Sequence, residues 1–102
     1  MKKYNKLVRD LIPQIIEADG KQCEYEIATK EQHQELLEEK LKEEVNEYLE
    51  DKNLEELADV MEVLFALAEN LGYSEEDLME KRKEKGEERG GFKVGIVLKE
   101  VK

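Results

Sequence analysis

The chain has 102 residues, of which 43% are charged, and its formal net charge at pH 7 is −10. This length predicts one domain with a modest core. The acidity argues against a general nucleic-acid binder, which needs a basic surface. Cys23 is the only cysteine, which excludes an internal disulfide and favours a reducing compartment. No apolar run suits a signal peptide or a membrane span, so we expect a cytoplasmic protein without membrane or nucleic-acid partners.

The charge is distributed unevenly along the chain. Residues 1–13 hold four basic residues and one acid, and residues 81–102 hold eight basic residues and four acids. The segment between them therefore carries −17. Basic ends around an acidic centre suit a metal-bound polyphosphate, with carboxylates for the cation and Lys or Arg for the phosphates. Ordinary variation of surface charge is the alternative explanation.

Low proline and glycine content, with many Leu, Glu and Lys residues, favours a helical protein. Asp10 is predicted to cap a short helix over residues 11–18, with Pro13 in its first turn and Gly20 past its end. Residues 23–28 alternate in character and weakly predict a β-strand.

Two long helices are predicted next. Thr29 and Gln32 form a capping-box pattern for a helix over residues 30–50. After a short turn, Asn53 is a good N-cap for a second helix over residues 54–71. A turn this short predicts that the two helices pack antiparallel.

The last part of the chain contains one more predicted helix. Ser74 and Asp77 form a capping-box pattern for residues 75–86. Two glycines then interrupt the pattern, and residues 92–101 are predicted to be extended. This tail could pair with residues 23–28 as a small β-ribbon.

The helix predicted over residues 54–71 is apolar over more than half of its circumference. A helix that is apolar on two sides packs against two neighbours. We therefore predict an all-α, antiparallel helical bundle that is completed by oligomerisation, as a homodimer or a homotetramer.

Acidic residues on the first long helix point in different directions. Glu44 is three residues after Leu41 and four before Tyr48, so it falls on the apolar face. Glu47 lies near the edge of that face, and Glu43 points further out. A carboxylate directed into a bundle is costly unless a partner compensates its charge. The position of Glu44 therefore predicts such a partner.

The second long helix shows a similar division. Glu55, Glu62 and Glu69 recur every seven residues and form its solvated stripe. Glu56 lies inside the apolar arc, and Asp59 lies at its border. Two antiparallel helices could bring such carboxylates together, and an all-oxygen site suits Mg²⁺. The same spacings also arise by chance in acidic helices.

The pattern Glu43-Glu44-x-x-Glu47 followed by Glu56-x-x-Asp59 resembles the signature of MazG-type nucleotide pyrophosphohydrolases, in the all-α NTP pyrophosphatase superfamily. Two further segments are similar to a small single-domain branch, related in fold to phosphoribosyl-ATP pyrophosphohydrolase: Tyr4-Asn5-Lys6-Leu7-Val8-Arg9-Asp10 with Ile12-Pro13, and Glu88-Arg89-Gly90-Gly91-Phe92. Only eight residues separate Glu47 from Glu56. This spacing is shorter than usual, a departure that concerns the substrate preference more than the metal site.

The resemblance implies hydrolysis of a nucleoside triphosphate between its α- and β-phosphates, which cleans the nucleotide pool and yields a monophosphate and pyrophosphate. It implies four ligands for Mg²⁺ or Mn²⁺: Glu44, Glu47, Glu56 and Asp59. The metal would neutralise the triphosphate and lower the pKa of a bound water that attacks phosphorus. Glu43 could orient or deprotonate that water, or could be a plain solvated residue.

Basic residues at both ends are candidates for binding the phosphates: Lys6, Arg9, Arg82, Lys85 and Arg89. A solvated role is the alternative for each. No motif reads a nucleobase edge, so the base and the sugar stay open. Two other functions remain open: a non-catalytic acidic helical dimer that binds a partner protein, and a pyrophosphohydrolase for phosphoribosyl-ATP-like nucleotides.

Overall fold

The computed structural model describes residues 5–102, which form four helices and, within that range, no β-strand. The helices are α1 (Ile12–Ala18), α2 (Lys30–Asp51), α3 (Leu54–Asn70) and α4 (Glu75–Arg89). The predicted all-α class is confirmed. No helix in the described range is long and apolar enough to cross a membrane.

The predicted β-ribbon is wrong. Residues 23–28 and 92–101 have irregular backbone, and Ile27 and Phe92 are 87% and 100% exposed. A two-stranded ribbon without a third strand or a helix beneath it is marginally stable in water. The alternating side chains of these two segments have no further strand or helix to pack on. Their sequence pattern therefore does not produce a sheet.

The predicted capping signals for α2 and α3 are confirmed. The Thr29 hydroxyl accepts the backbone N–H of Gln32, whose side chain accepts the N–H of Thr29 in return. The Asn53 side chain accepts the N–H of Glu56 at 2.9 Å. Between the helices, Lys52 adopts the left-handed conformation with φ 48° and ends α2. The chain thus reverses within two residues.

Helices α2 and α3 pack antiparallel. The Asn70 amide at the end of α3 donates to Gln34, near the start of α2, at 2.8 Å. Leu37, Val63 and Ala68 form the buried apolar core between them. This hairpin positions the acidic residues.

The termini of α1 and α4 differ from the prediction. Asp10 does not cap α1, because the helix begins at Ile12 and Leu11 occupies the N-cap position without a side-chain hydrogen bond. The capping box of Ser74 is present at the start of α4, as predicted. This helix continues to Arg89, three residues past the predicted end, because the glycine at position 86 does not interrupt it.

The chain is open rather than spherical. Its radius of gyration is 17.8 Å, against about 13 Å for a compact chain of this length. It exposes 9772 Å², whereas a compact monomer of 12.0 kDa exposes about 6,000 Å². Much of this surface is apolar, including one stripe along α3 and its C-cap residue: Leu57, Met61, Leu64 and Leu71.

Candidate metal-binding site

Five carboxylates gather where α2 ends and α3 begins. One oxygen from each of Glu43, Glu44 and Glu47 lies within 4.8 Å of the others, and the same holds for Glu44, Glu56 and Asp59. Two oxygens on opposite sides of a Mg²⁺ ion are about 4.2 Å apart. The two groups share Glu44, so small side-chain movements would bring oxygens from both helices around one ion.

Glu44 is the buried member of the cluster, with 7% of its surface exposed. Its Oε1 atom lies 3.3 Å from the Lys40 ammonium, whereas its Oε2 atom is buried without a hydrogen-bond partner. Burial raises the pKa of Glu44 above its ordinary value, and neighbouring Glu47 raises it further. A buried oxygen without a partner costs stability. A cation at this atom would remove that cost.

The environment of Glu56, on the other helix, resembles that of Glu44. Its Oε2 atom is also buried without a partner. Desolvation raises the pKa of Glu56, and the negative charges of Asp59, Asp51 and Glu44 add to the effect. The carboxylates therefore repel one another across the turn, and a divalent cation between them would reverse the sign of that interaction.

Glu43 has a different environment from the other acids. Burial opposes its ionisation, but a hydrogen bond from Lys6 and the positive charge of Lys40 outweigh that effect and lower its pKa. Lys6 lies 3.2 Å from one oxygen of Glu43, and Lys40 lies 3.5 Å from the other. Glu43 is therefore a carboxylate at neutral pH, in a position to accept a hydrogen bond from water.

The segment before α1 lies against the cluster. Arg9 pairs with Asp59 at 2.7 Å, while Lys6 pairs with Glu43 as described above. The structure thus places two of the five predicted phosphate-binding residues, Lys6 and Arg9, beside the acids. Each cation already contacts one carboxylate, and each side chain is about half exposed.

The remaining candidate phosphate-binding residues lie apart from the acids. Arg82, Lys85 and Arg89 are exposed on α4. Within residues 5–102, none of them makes an ion pair with the cluster. Tyr4, which is part of the N-terminal motif, lies outside the described residues.

Lys40 is a contact of the cluster that was not predicted. It reaches Glu43 and Glu44 from one turn earlier on α2. The signal was present, because residues three and four apart share a helix face. The five carboxylates thus face three cations, which leaves two negative charges when all groups are ionised. This excess of negative charge, to which the nearby Asp51 adds, favours the binding of a cation.

The solvated stripe of α3 lies away from the site, as predicted. Glu55, Glu62 and Glu69 are exposed, whereas Glu56 and Asp59 are half-buried. The predicted division of these acids by direction is confirmed. Glu62 therefore provides a matched control for substitutions in the cluster.

Comparison of the chain with protein-family models, with curated proteins and with solved structures finds no match.

Proposed function

We propose that the chain is a Mg²⁺-dependent nucleoside-triphosphate pyrophosphohydrolase with a bundle of MazG type. One observation carries the proposal: Glu44 and Glu56, on different helices, belong to the same group of carboxylates, and each has a buried oxygen without a hydrogen-bond partner. Burying two such oxygens together is unfavourable unless a cation binds there. The motif resemblance then supplies the reaction class, namely hydrolysis between the α- and β-phosphates.

Four residues would hold the ion: Glu44, Glu56 and Asp59, whose oxygens lie within 4.8 Å of one another, and Glu47, which lies as close to Glu44. An all-carboxylate set suits Mg²⁺, and Mn²⁺ as a substitute, better than a soft metal. When bound, the ion would supply charge neutralisation for the triphosphate. The excess of negative charge among the surrounding side chains supports this assignment.

The other residues act on the water and the phosphates. Glu43, kept ionised by Lys6 and Lys40, would accept a hydrogen bond from the attacking water and orient it toward phosphorus. Arg9 and Lys6 are the nearest cations for the phosphate oxygens. Arg82, Lys85 and Arg89 can contribute only if α4 of the same or another copy approaches the cluster.

The proposal includes an oligomer in the cytoplasm. The large exposed apolar surface supports association with further copies of the chain. Cys23, the only cysteine of the chain, suits a reducing compartment. Nucleotide-pool cleaning would place the enzyme where free nucleotides are abundant.

The test is a nucleotide panel. Purified protein with millimolar Mg²⁺ is incubated with the canonical triphosphates and with phosphoribosyl-ATP, and pyrophosphate and monophosphate are quantified. We expect both products in equal amounts, and no orthophosphate. Folded protein that releases no pyrophosphate from any member of the panel would overturn the proposal.

Substitutions test whether the activity depends on the carboxylate cluster. We expect Glu44→Gln and Asp59→Asn to lower kcat at least 100-fold, and Glu62→Gln to leave it within twofold of the original. Circular dichroism serves to check that all three variants fold. Equal activity in all three variants would remove the cluster from the mechanism.

A further inference from the structure

A groove of about 660 Å³ lies between α3 and α4, on the part of the hairpin that the acidic cluster does not use. Its lining is largely apolar, with five large side chains: Leu64, Leu67, Leu71, Tyr73 and Leu78. Acidic residues of α4 flank it, namely Asp77, Glu80 and Glu84. Lys81 also lines the groove, but it pairs with Glu84 at 2.9 Å. The groove is therefore apolar inside and acidic along one edge.

The groove continues into a longer apolar stripe. Leu57, Met61 and Leu64 lie on one face of α3, the C-cap residue Leu71 continues that face, and the four are 41–64% exposed. From the first to the last of these residues, the helix rises about 21 Å. An occupant of matching length would cover both the stripe and the groove.

The C-terminal segment has the complementary properties. In an extended chain, alternate side chains lie on the same side. Phe92, Val94, Ile96 and Leu98 alternate in this way and are 77–100% exposed. These residues span about 20 Å when extended. Three lysines accompany one acid in the segment that follows α4: Lys93, Lys99 and Lys102 with Glu100. The segment is thus an apolar strip with a positive charge.

Helix α4 carries this segment away from the groove of its own chain. Leu78, one turn into α4, is partly buried, and every residue after it is exposed. The helix therefore touches α3 near its start and then projects outward. A second copy related by a two-fold axis would receive the segment and return its own. The excess surface of about 3,800 Å² per copy exceeds the roughly 800 Å² that each partner buries in a standard interface.

We propose that residues 92–101 of one copy bind the α3–α4 groove of a second copy, in a reciprocal exchange. This specifies the surface and the occupant of the oligomer, and it does not depend on the catalytic proposal. The lysines of the segment lie along the acidic edge while its apolar side chains cover the stripe.

Two charge-reversed proteins test the exchange. The groove variant carries Glu80→Lys and Glu84→Lys, and the tail variant carries Lys93→Glu and Lys99→Glu. Sedimentation measures the association of the full-length chains at low salt. Each variant alone places like charges at both contacts, so we expect its dissociation constant to rise at least tenfold. Lys83→Glu, a reversal on α4 outside the groove lining, serves as the control and should leave association unchanged.

Mixing the two variants tests whether the C-terminal segment of one copy binds the groove of another copy. The groove of each variant is then complementary to the tail of the other, so an equimolar mixture should form a heterodimer as tightly as the original protein. Circular dichroism checks that each variant retains its helices. Three results would overturn the proposal: an original protein that is monomeric throughout, variants that associate normally, or a mixture that stays monomeric.

Discussion

At the scale of single residues, Glu44 is subject to two effects that both oppose its ionisation when no cation is bound. It is buried among the helices, which favours its neutral form, and it lies beside other carboxylates, which favours that form further. Lys40 compensates one of its oxygens and leaves the other without a partner. Stability without metal should therefore depend on the protonation of this residue.

Glu44→Gln tests this dependence. The pKa of Glu44 is raised in the folded state above its ordinary 4.5, so the folded protein retains a proton that the unfolded chain has lost. The stability contribution of this group is therefore present below pH 4.5 and lost as pH rises through the folded pKa. Without metal, the melting temperature of the Gln variant should gain on that of the original protein between pH 4 and pH 7.5.

The same variant should lose its response to metal. Addition of 5 mM Mg²⁺ at pH 7.5 should raise the melting temperature of the original protein, because the ion binds only the folded state. The Gln variant should show little increase, whereas Glu62→Gln should respond as the original does. In the metal-free experiment, a difference in melting temperature between the original protein and the Gln variant that does not change with pH would contradict the burial argument.

Arg9 should matter for substrate binding more than for stability. Its ion pair with Asp59 is largely exposed, and such pairs contribute about 0–1 kcal/mol. Under the proposed function, Arg9→Met should raise KM about tenfold by removing one phosphate contact of about 1.4 kcal/mol. Lys21→Met is the control, since the Lys21 ammonium pairs with Asp19 at 3.9 Å and not with a carboxylate of the cluster. The same KM for both variants would exclude Arg9 from substrate binding.

At the scale of elements, local chemistry made the helices predictable. The caps at Thr29, Asn53 and Ser74 are set by residues three apart, so a sequence shows them directly. Helical periodicity likewise predicted which side of its helix Glu44 occupies. The predicted ribbon failed because strand pairing depends on tertiary partners that local alternation does not specify.

The long-range contacts of the site could not be predicted from local sequence patterns. The pairs that Lys6 and Arg9 make span 37 and 50 residues of chain. Nothing local specifies the path of the segment before α1, so these residues were predicted as phosphate ligands without their acidic partners. Composition indicated basic ends and an acidic centre, but not which cation meets which carboxylate.

Two matched cap variants separate helix stability from site geometry. Asn53→Ala removes the cap of α3 and should cost about 1 kcal/mol, which lowers the melting temperature by about 4–8 °C in a domain of this size. It should also weaken Mg²⁺ binding severalfold, because Glu56 and Asp59 lie in the first two turns of α3. Isothermal titration calorimetry measures that affinity.

Thr29→Ala removes an equivalent cap far from the site. Thr29 precedes α2 by one residue, and Glu43 lies about 21 Å further along the helix axis. Its melting temperature should fall by a similar amount while Mg²⁺ affinity stays unchanged. Equal losses of affinity in both variants would show that general destabilisation, and not the orientation of α3, controls the site.

At the scale of the whole molecule, surface area and shape lead to one conclusion. Among residues 5–102, three apolar residues are buried, which is a small core for a chain of this length. The exposed apolar stripe of α3 is larger than the single scattered apolar residues on a monomer surface. The acidic cluster lies at one end of the α2–α3 hairpin and the apolar groove near the other. Association through the groove would therefore stabilise the hairpin without covering the carboxylates.

Stability should then depend on protein concentration. For a dimer that unfolds to monomers, each tenfold increase in concentration adds about 1.4 kcal/mol, or about 3–6 °C in melting temperature for an assembly of twice this length. Calorimetry from 5 to 500 µM measures the shift. Met61→Gln, on the exposed apolar stripe of α3, should weaken association and lower the melting temperature at each concentration. Glu55→Gln, on the solvated acidic stripe of the same helix, should change neither. A melting temperature that is constant over this hundredfold range would show that the open hairpin is stable as a monomer.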